Sequence, residues 1–271
     1  MYTQTIQLIQ HEQVGPGYHL LEFDCPQIAA TAQPGQFVHI RVTAKWDPLL
    51  RRPFSVMSTN KDEGSFQVLL RTVGRGTQML AEAQPSAEFD IMGPLGNGFA
   101  LPGPEGEVVL VAGGIGVAPL IFLATALHEP DGYRYIRGLF GARSEDDLCC
   151  WLEFSGVCDE FNAITEDGSV GEQGLVTDYL PPQLERSAGC VYACGPTPML
   201  VEVARQCQAA KIPCYVSVEQ WMGCGIGACL GCVIPTHASG TQRYQRVCKD
   251  GPVFDAQIVN WEAIRYGCTP G

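Results

Sequence analysis

The chain has 271 residues, enough for two ordinary domains and a smaller additional module. Hydrophobic residues make up 46% and charged residues 17% of it, a globular composition, and the formal net charge of −12 argues against nonspecific binding to nucleic acid or anionic membranes. The N-terminal stretch MYTQTIQLIQHEQVG lacks the basic and apolar regions of a signal peptide, and no apolar run approaches about 18 residues. We therefore expect neither export nor a membrane span.

Residues 1–102 predict a small antiparallel barrel, because short apolar runs alternate there with turn sequences rich in Gly and Pro. Turns are expected at Gly15–Gly17, Pro34–Gly35 and Lys61–Gly64. The predicted strands are Thr3–Gln10, Tyr18–Asp24, Gln36–Val42, Ser55–Thr59, Phe66–Thr72 and Glu88–Met92.

Two loops of this barrel have the composition of a phosphate site. The first is Arg51–Ser55, in which Arg52 could pair with phosphate oxygens bidentately. The second is Val73–Thr77, where Gly76 and Thr77 would open a short helix, Gln78–Ala83, whose first N–H groups could bind phosphate. The plainer interpretation is a surface charge beside ordinary glycine turns.

The sequence Arg52-Pro53-Phe54-Ser55 resembles the flavin motif R-x-[YF]-[ST] of the ferredoxin–NADP reductase superfamily. The resemblance implies that Arg52 holds the FAD pyrophosphate, that Phe54 lies near the isoalloxazine and that Ser55 points toward flavin N5. Phe54 stands where many members have Tyr. The resemblance also places strand residues in the FAD site together with Gly76 and Thr77, namely Leu69, Leu70 and Arg71. Gly93–Gly98 would then close the barrel and lead into the next domain.

A second domain is predicted after the linker Pro102–Gly106. The apolar run Val108–Ala112 is typical of a buried parallel strand, and a glycine turn and the helix Ala118–Leu127 follow it. Strand, glycine turn and helix in this order favour dinucleotide binding, with backbone approaching a pyrophosphate and a proline in the first helical turn. The residues concerned are Gly113, Gly114, Gly116 and Pro119. The pattern is G-x-G-x-x-P rather than G-x-G-x-x-G, so an ordinary tight turn is the alternative.

Further strands and helices predict a parallel sheet with helices on both of its faces. Thr197 is expected to cap the last helix. The predicted strands are Tyr133–Ala142, Phe161–Thr165, Val191–Cys194 and Val216–Val218, and the predicted helices are an irregular Glu145–Phe154 and Pro198–Ala209.

The sequence Cys194-Gly195-Pro196 resembles the C-G-P motif that lies beside the nicotinamide in the same superfamily. Alone it would be read as a buried cysteine before a helix-starting turn, but it follows the two earlier motifs in the family order. Selection between NADH and NADPH is expected at Gly141–Asp147. Acidic residues favour a free ribose hydroxyl, whereas Arg and Ser favour a 2′-phosphate, and this segment contains both kinds.

The C-terminal region contains a dense cysteine pattern, C-x4-C-x2-C-x15-C, formed by Cys224, Cys229, Cys232 and Cys248. The spacing of the first three is that of plant-type [2Fe–2S] ligation. Interleaved glycines permit tight backbone turns that direct N–H groups onto sulfur. A structural zinc site or a chance arrangement are the alternatives, but zinc cysteines usually come as two close pairs.

The other nine of the 13 cysteines show no disulfide framework, and most of them sit in apolar runs. They are Cys25, Cys149, Cys150, Cys158, Cys190, Cys194, Cys207, Cys214 and Cys268. So many thiols beside a labile cluster indicate a reducing cytosol, hence a cytoplasmic protein.

The segments Glu219–Cys232 and Cys248–Asp255 together closely resemble the electron-transfer subunits of class 1B dihydroorotate dehydrogenases, and the resemblance covers essentially the whole chain. It implies an antiparallel six-stranded FAD-binding β-barrel over residues 1–102, a doubly wound parallel-sheet NAD-binding α/β domain over 103–218, and a small C-terminal [2Fe-2S] module over 219–271. The implied cofactors are FAD, NAD(H) and the cluster.

The resemblance also implies a partner, an FMN-containing dihydroorotate dehydrogenase catalytic subunit, in a heterotetramer with two copies of each chain. That partner would oxidise dihydroorotate to orotate in pyrimidine biosynthesis. Side chains of the present chain would position cofactors, so no acid or base residue is assigned. Two other functions remain open: a related NAD(P)H-linked reductase subunit with another acceptor, and a non-enzymatic scaffold with zinc at the four cysteines.

Overall fold

The computed structural model describes residues 1–101, 107–128, 134–186, 188–240 and 243–264. The predicted linker Pro102–Gly106, Tyr133 at the start of a predicted strand, and Cys268 lie outside the described residues. Among the helices that the structure describes, none is long and apolar enough to cross a membrane.

The N-terminal part is a closed antiparallel barrel of six strands in the order β1-β2-β5-β4-β3-β6, as the sequence predicts. Alternate strand residues such as Val38, Ile40 and Val68 fill its interior. Its strands are β1 (Tyr2–Gly15), β2 (Tyr18–Asp24), β3 (Phe37–Arg41), β4 (Arg52–Asn60), β5 (Ser65–Arg71) and β6 (Glu88–Leu95).

Two short helices accompany the barrel, α1 (Pro26–Thr31) and α2 (Arg75–Ala81). The sequence does not predict α1, and α2 begins before the predicted helix Gln78–Ala83. The reason is local: the Thr77 hydroxyl accepts hydrogen bonds from the N–H groups of Val73 (3.0 Å) and Gly74 (3.1 Å). This closes the turn early and lets the helix start at Arg75.

The second part is a seven-stranded sheet in the order β10-β9-β8-β7-β11-β12-β15. All pairs are parallel except β12 with β15, which are antiparallel. The strands are β7 (Glu107–Gly113), β8 (Ile136–Ala142), β9 (Glu160–Thr165), β10 (Glu172–Gln173), β11 (Ala188–Cys194), β12 (Cys214–Ser217) and β15 (Val253–Asp255). The last strand comes from beyond the cysteine pattern, so the C-terminal segment completes this sheet.

Helices cover both faces of the sheet. On one face pack α3 (Val117–Leu127) and α4 (Trp151–Gly156), and on the other α5 (Pro181–Glu185) and α6 (Thr197–Ala210). Side chains of β7 alternate between the two cores: Leu110 faces α3, whereas Val109 faces α6. Helix α3 is buried almost throughout, because it lies between the sheet and the barrel and places Phe122 in the barrel core.

Two helix predictions are wrong in detail. The predicted helix Glu145–Phe154 is a 3₁₀ turn, Glu145–Asp147, followed by α4, because Cys150 has a left-handed backbone (φ 54°) that interrupts it. Thr197 is the first residue of α6 and makes no capping hydrogen bond; the capping position belongs to Pro196.

The C-terminal segment adds a hairpin, β13 (Val233–Pro235) with β14 (Tyr244–Arg246), and the short helix α7 (Trp261–Ile264). It is anchored on the barrel as well as on the sheet. Asn97 of the barrel donates three hydrogen bonds to this segment: its backbone N–H donates to the Gly251 carbonyl at 2.6 Å, and its side chain donates to the carbonyls of Lys249 and Asp250. The loop after β6 thus holds the barrel to the C-terminal segment, whose strand β15 pairs with β12 of the sheet.

Candidate functional site

The predicted dinucleotide turn and the C-G-P turn lie side by side at the carboxyl ends of β7 and β11. These two parallel strands are neighbours, with Ala112 paired to Cys194, and the helices after them, α3 and α6, lie on opposite faces of the sheet. This is the topological switch point at which open α/β sheets bind ligands. The fold therefore brings Gly113–Gly116 and Cys194–Pro196 together, although they are distant in sequence.

The contact between these turns leaves no room for side chains. A Cβ on Gly116 would overlap the carbonyl oxygen of Cys194 and lie 2.7 Å from the Gly195 nitrogen. A Cβ on Gly113 would lie 2.7 Å from both Pro196 Cδ and Met199 Sδ. Glycine is thus required by close backbone packing, and turns without side chains are those that let a backbone approach a pyrophosphate.

The predicted phosphate site of the barrel is formed by Arg52 at the start of β4 and by α2. A Cβ on Gly76 would lie 2.9 Å from Arg52 Nε, so the guanidinium rests directly on the helix backbone. Arg52 donates to the carbonyl oxygen of Leu50 but has no carboxylate partner among the described residues. Its neighbour Arg51 is paired with Asp90. This arrangement suits a phosphate, because Asp90 neutralises Arg51 whereas the charge of Arg52 stays available to an anion.

The remaining residues of the predicted flavin site differ in whether their side chains are buried in a core or face outward. Leu70 is fully buried in the barrel core, and Leu69 is buried against α3, so only their backbone groups can face a ligand. Phe54 packs on the barrel core, whereas Pro53 and Ser55 alternate to the opposite face of β4.

The Arg71 side chain belongs to a clamp that joins the barrel to the sheet. It lies over the Tyr18 ring, 5.3 Å from its centroid, and pairs with Asp147 at 3.3 Å. Asp147 also accepts a hydrogen bond from the Tyr18 hydroxyl (2.8 Å) and pairs with Arg143 at 3.0 Å. Asp147 lies in the predicted segment for cofactor selection, but its carboxylate is committed to this clamp.

The clamp groups have shifted pKa values. Burial, and then the hydrogen bond to Asp147, raises the pKa of Tyr18. Burial alone would raise the pKa of Asp147, but the hydrogen bonds from Tyr18 and Arg143 and the charge of Arg71 hold it below its ordinary value. The carboxylate thus stays ionised. Sequence reasoning missed the clamp because its members are separated by as many as 129 positions.

The four predicted cluster cysteines lie in one region as two pairs. The backbone N–H of Cys229 points at Cys224 Sγ (3.4 Å), and the backbone N–H of Cys248 points at Cys232 Sγ (3.4 Å). Two thiolates for each of two irons is the arrangement that a [2Fe–2S] cluster needs. Among the described residues, no group of three or more His, Cys, Asp or Glu side chains gathers as for a single metal ion. Cys232 and Cys248 are buried, Cys224 is half-buried and Cys229 is exposed.

Backbone N–H groups point at the sulfurs of these cysteines. Gly227 N–H lies 3.0 Å from Cys248 Sγ, and Ala228 N–H lies 3.3 Å from Cys224 Sγ. Burial alone would raise the pKa of the Cys224 thiol, but N–H groups of Ile226, Cys229 and Ala228 lower it to about 6. The loop thus favours a thiolate at Cys224, which is the form that binds metal.

Two further residues of this region, His39 and Glu219, are not predicted from the sequence. His39 on β3 is fully buried against the cysteine loop, and burial, followed by the charges of Arg51 and Arg52, lowers its pKa to about 4. Glu219 is accessible to solvent and acts on Cys194 through its charge, and desolvation raises the pKa of its carboxyl. A lone histidine and a lone glutamate give no pattern that a sequence could reveal.

Three family models match consecutive parts of the chain. An oxidoreductase FAD-binding domain matches residues 5–99, an oxidoreductase NAD-binding domain matches 110–205, and an iron-sulfur cluster binding domain of dihydroorotate dehydrogenase B matches 219–260. They correspond in order to the barrel, the sheet and the cysteine region.

Curated relatives match nearly the whole chain. A dihydroorotate dehydrogenase B (NAD(+)) electron transfer subunit from Desulforamulus reducens is 40% identical over 92% of this chain and 95% of that protein. The protein of the same name from Bacillus caldolyticus is 42% identical over 83% and 85%.

Solved structures share the fold. A chain in the structure of an NADH-dependent reduced ferredoxin-NADP oxidoreductase superimposes with a TM-score of 0.85 at 29% identity, covering 97% of this chain and 92% of that one. The ferredoxin reductase of a carbazole 1,9a-dioxygenase superimposes with a TM-score of 0.66 at 21% identity, over 78% and 67%.

Proposed function

The chain belongs to the family of dihydroorotate dehydrogenase B electron transfer subunits, and we propose that it relays electrons between NAD(H) and a separate dihydroorotate dehydrogenase catalytic subunit. A bound flavin would supply the needed chemistry, since it exchanges hydride with nicotinamide and single electrons with an iron–sulfur cluster. The observation that carries the proposal is that both other sites pack at β4: helix α3, which follows the glycine turn, lies against β4, and the cysteine loop packs on the barrel strand beside it.

We assign FAD to the barrel, residues 1–102. Arg52, Gly76 and Thr77 would hold the pyrophosphate, with the Arg52 charge unpaired by any described carboxylate and the guanidinium seated on α2. The outer face of β4, from Pro53 to Ser55, would carry the isoalloxazine. Phe54, Leu69, Leu70 and Arg71 complete this assignment through their backbone, since their side chains pack on the cores or pair with Asp147.

Replacing Arg52 with Ala is expected to weaken FAD binding by about 1.5–3 kcal/mol, because a charge-assisted phosphate contact is lost. Fluorescence titration of the apoprotein with FAD measures this. Arg51→Ala is the matched control, since its charge is already paired with Asp90: thermal stability should fall there, but FAD affinity should change little. Equal FAD affinity in native protein and Arg52→Ala would contradict the assignment, as would FMN in the isolated chain.

We assign NAD(H) to residues 103–218, with Gly113, Gly114, Gly116 and Pro119 at the pyrophosphate. Cys194, Gly195 and Pro196 would lie beside the nicotinamide. Support comes from their shared position at the switch point of the sheet. These groups bind and orient the dinucleotide, and none is assigned as an acid or base.

We assign the [2Fe-2S] cluster to residues 219–271, with Cys224, Cys229, Cys232 and Cys248 as its ligands. The exposed position of Cys229 would bring the cluster to the molecular surface. Apolar side chains are exposed in the same region, among them Ile226, Leu230 and Tyr244. An electron-accepting protein would therefore dock on Gly223–Cys232 and the neighbouring segment Arg246–Val253, close to the cluster.

The partner would be the FMN-containing catalytic subunit, in a complex of two copies of each chain. A cytoplasmic location fits the 13 cysteines, none paired in a disulfide among those described, and the thiolates that such a cluster needs.

The isolated chain tests the relay directly. Supplied with FAD and cluster, it should reduce an artificial dye with NADH and should leave dihydroorotate unchanged, because its recognised sites all hold redox cofactors. Absorption at visible wavelengths should show both flavin and iron–sulfur bands. A colourless zinc protein without dye reduction would contradict the proposal and favour the scaffold alternative.

A further inference from the structure

His39 is a buried polar side chain for which the described residues provide no partner. Its side chain is 0% exposed, and neither Nδ1 nor Nε2 makes a hydrogen bond within the described chain. Leaving a buried polar group unpaired is costly, and such groups in folded proteins call for an explanation in a ligand, an ion or a strained site. The Arg51 backbone acts on the ring and favours its protonated form, but neither ring nitrogen has a partner within hydrogen-bond geometry among the described residues, so an N–H remains available to a bound group.

The cysteine loop covers this histidine. Gly225, with φ +73°, lies directly on the ring: a Cβ there would overlap Nδ1 and lie 3.1 Å from Cε1. Gly225 follows Cys224, whose sulfur accepts hydrogen bonds from the N–H groups of Ala228 (3.3 Å) and Cys229 (3.4 Å). His39 thus touches the turn that shapes one pair of cysteines, from the side opposite to solvent.

The position of His39 on β3 also relates it to the flavin strand. Val38 and Ile40 point into the barrel, so Phe37 and His39 alternate to its outer face. Phe37 shares a core with Cys232 and Cys248. On the neighbouring strand, His39 is paired with Pro53, inside the proposed flavin motif. Its imidazole therefore lies under the cysteine loop and on the strand next to the part of β4 that is assigned to the flavin.

We propose that His39 is a positioning residue for the cluster: its ring N–H donates a hydrogen bond to a sulfur of the cluster or of its ligands, while the ring seats the Cys224–Gly225 turn. This inference rests on the proposed function, since it needs the cluster. A neutral imidazole has one N–H donor and one acceptor nitrogen, and a thiolate or sulfide can accept a hydrogen bond from that N–H. Donors to cluster sulfur stabilise the more negative reduced state and raise the reduction potential.

A spectroscopic test uses the native holoprotein labelled with 15N in histidine only. Pulsed electron paramagnetic resonance of the dithionite-reduced cluster should show a weak 15N coupling. His39→Leu should abolish that coupling and lower the cluster potential in a redox titration, with the flavin potential unchanged, and His39→Gln, which keeps an N–H donor, should lie closer to the native potential. His237 is an exposed histidine of the same region, and the control variant His237→Leu should change neither the 15N coupling nor the cluster potential.

The outcomes separate the inference from the proposed function. A protein without iron, acid-labile sulfide or a cluster signal would refute the proposed function. A normal cluster signal without histidine 15N coupling would overturn the inference alone, and this holds even if His39→Leu fails to fold. A shift of the flavin potential with an unchanged cluster potential would overturn it too, because the N–H would then serve the flavin.

Discussion

Replacing Cys229 with Ser is expected to cost the protein most of its iron and acid-labile sulfide. A hydroxyl is a much poorer ligand than a thiolate, and Cys229 stands beside Cys224, to whose sulfur its backbone N–H points at 3.4 Å. Because Cys229 is exposed, its replacement removes no core packing, so loss of the cluster would not follow from loss of the fold. Iron and sulfide analysis of the purified protein, together with its visible spectrum, measures the effect.

Cys207→Ser is the matched control for this experiment. Cys207 lies on α6, buried against the sheet beside Cys214 and outside the cysteine loop. We expect that variant to keep its iron and sulfide, with at most a modest loss of stability from a hydroxyl in an apolar site. Full retention of both elements in Cys229→Ser would refute the ligand assignment.

Replacing Gly116 with Ala is expected to reduce NADH-dependent dye reduction by about ten- to a hundredfold, equivalent to about 1–3 kcal/mol of overpacking. Gly116 has an ordinary helical backbone, with φ −61° as the residue before α3, so alanine brings no conformational strain. The effect is steric: the new methyl group would collide with the Cys194 carbonyl and separate the two turns that are assigned to NAD(H). FAD and cluster content should stay near native, because neither site includes this contact.

Gly156→Ala provides the comparison, because a Cβ at Gly156 at the end of α4 meets nothing within 4 Å. It should leave NADH-dependent activity and thermal stability close to native. If the Gly116→Ala protein keeps the native KM for NADH and the native rate of dye reduction, the packed turns are not the dinucleotide site.

The sequence predicts those parts of the site in which chemistry and local geometry coincide. Cys224, Cys229 and Cys232 stand in one short loop, so their spacing alone indicates a cluster. The βα turn at Gly113–Gly116 follows an apolar strand and precedes a helix, so its context is visible along the chain. The alternation of apolar and polar residues between turn sequences likewise predicts the six barrel strands.

The sequence does not predict what depends on long-range packing. Strand β15 joins the sheet through pairing with β12, and three consecutive residues give no signal strong enough to be recognised as a strand. The contact of His39 with Gly225 joins positions that only the folded chain brings together. Arg71 shows the same limit: its backbone can serve the flavin strand while its side chain is turned to Asp147.

The direct test of the relay is reconstitution with the catalytic partner. This chain, loaded with FAD and cluster, is mixed with the FMN-containing dihydroorotate dehydrogenase subunit, and NAD⁺ reduction by dihydroorotate is followed at the NADH absorption band. We predict that NADH forms only when both chains are present, and that Cys229→Ser abolishes its formation. Dihydroorotate oxidation by this chain alone, or the absence of NADH formation in the native mixture, would contradict the account.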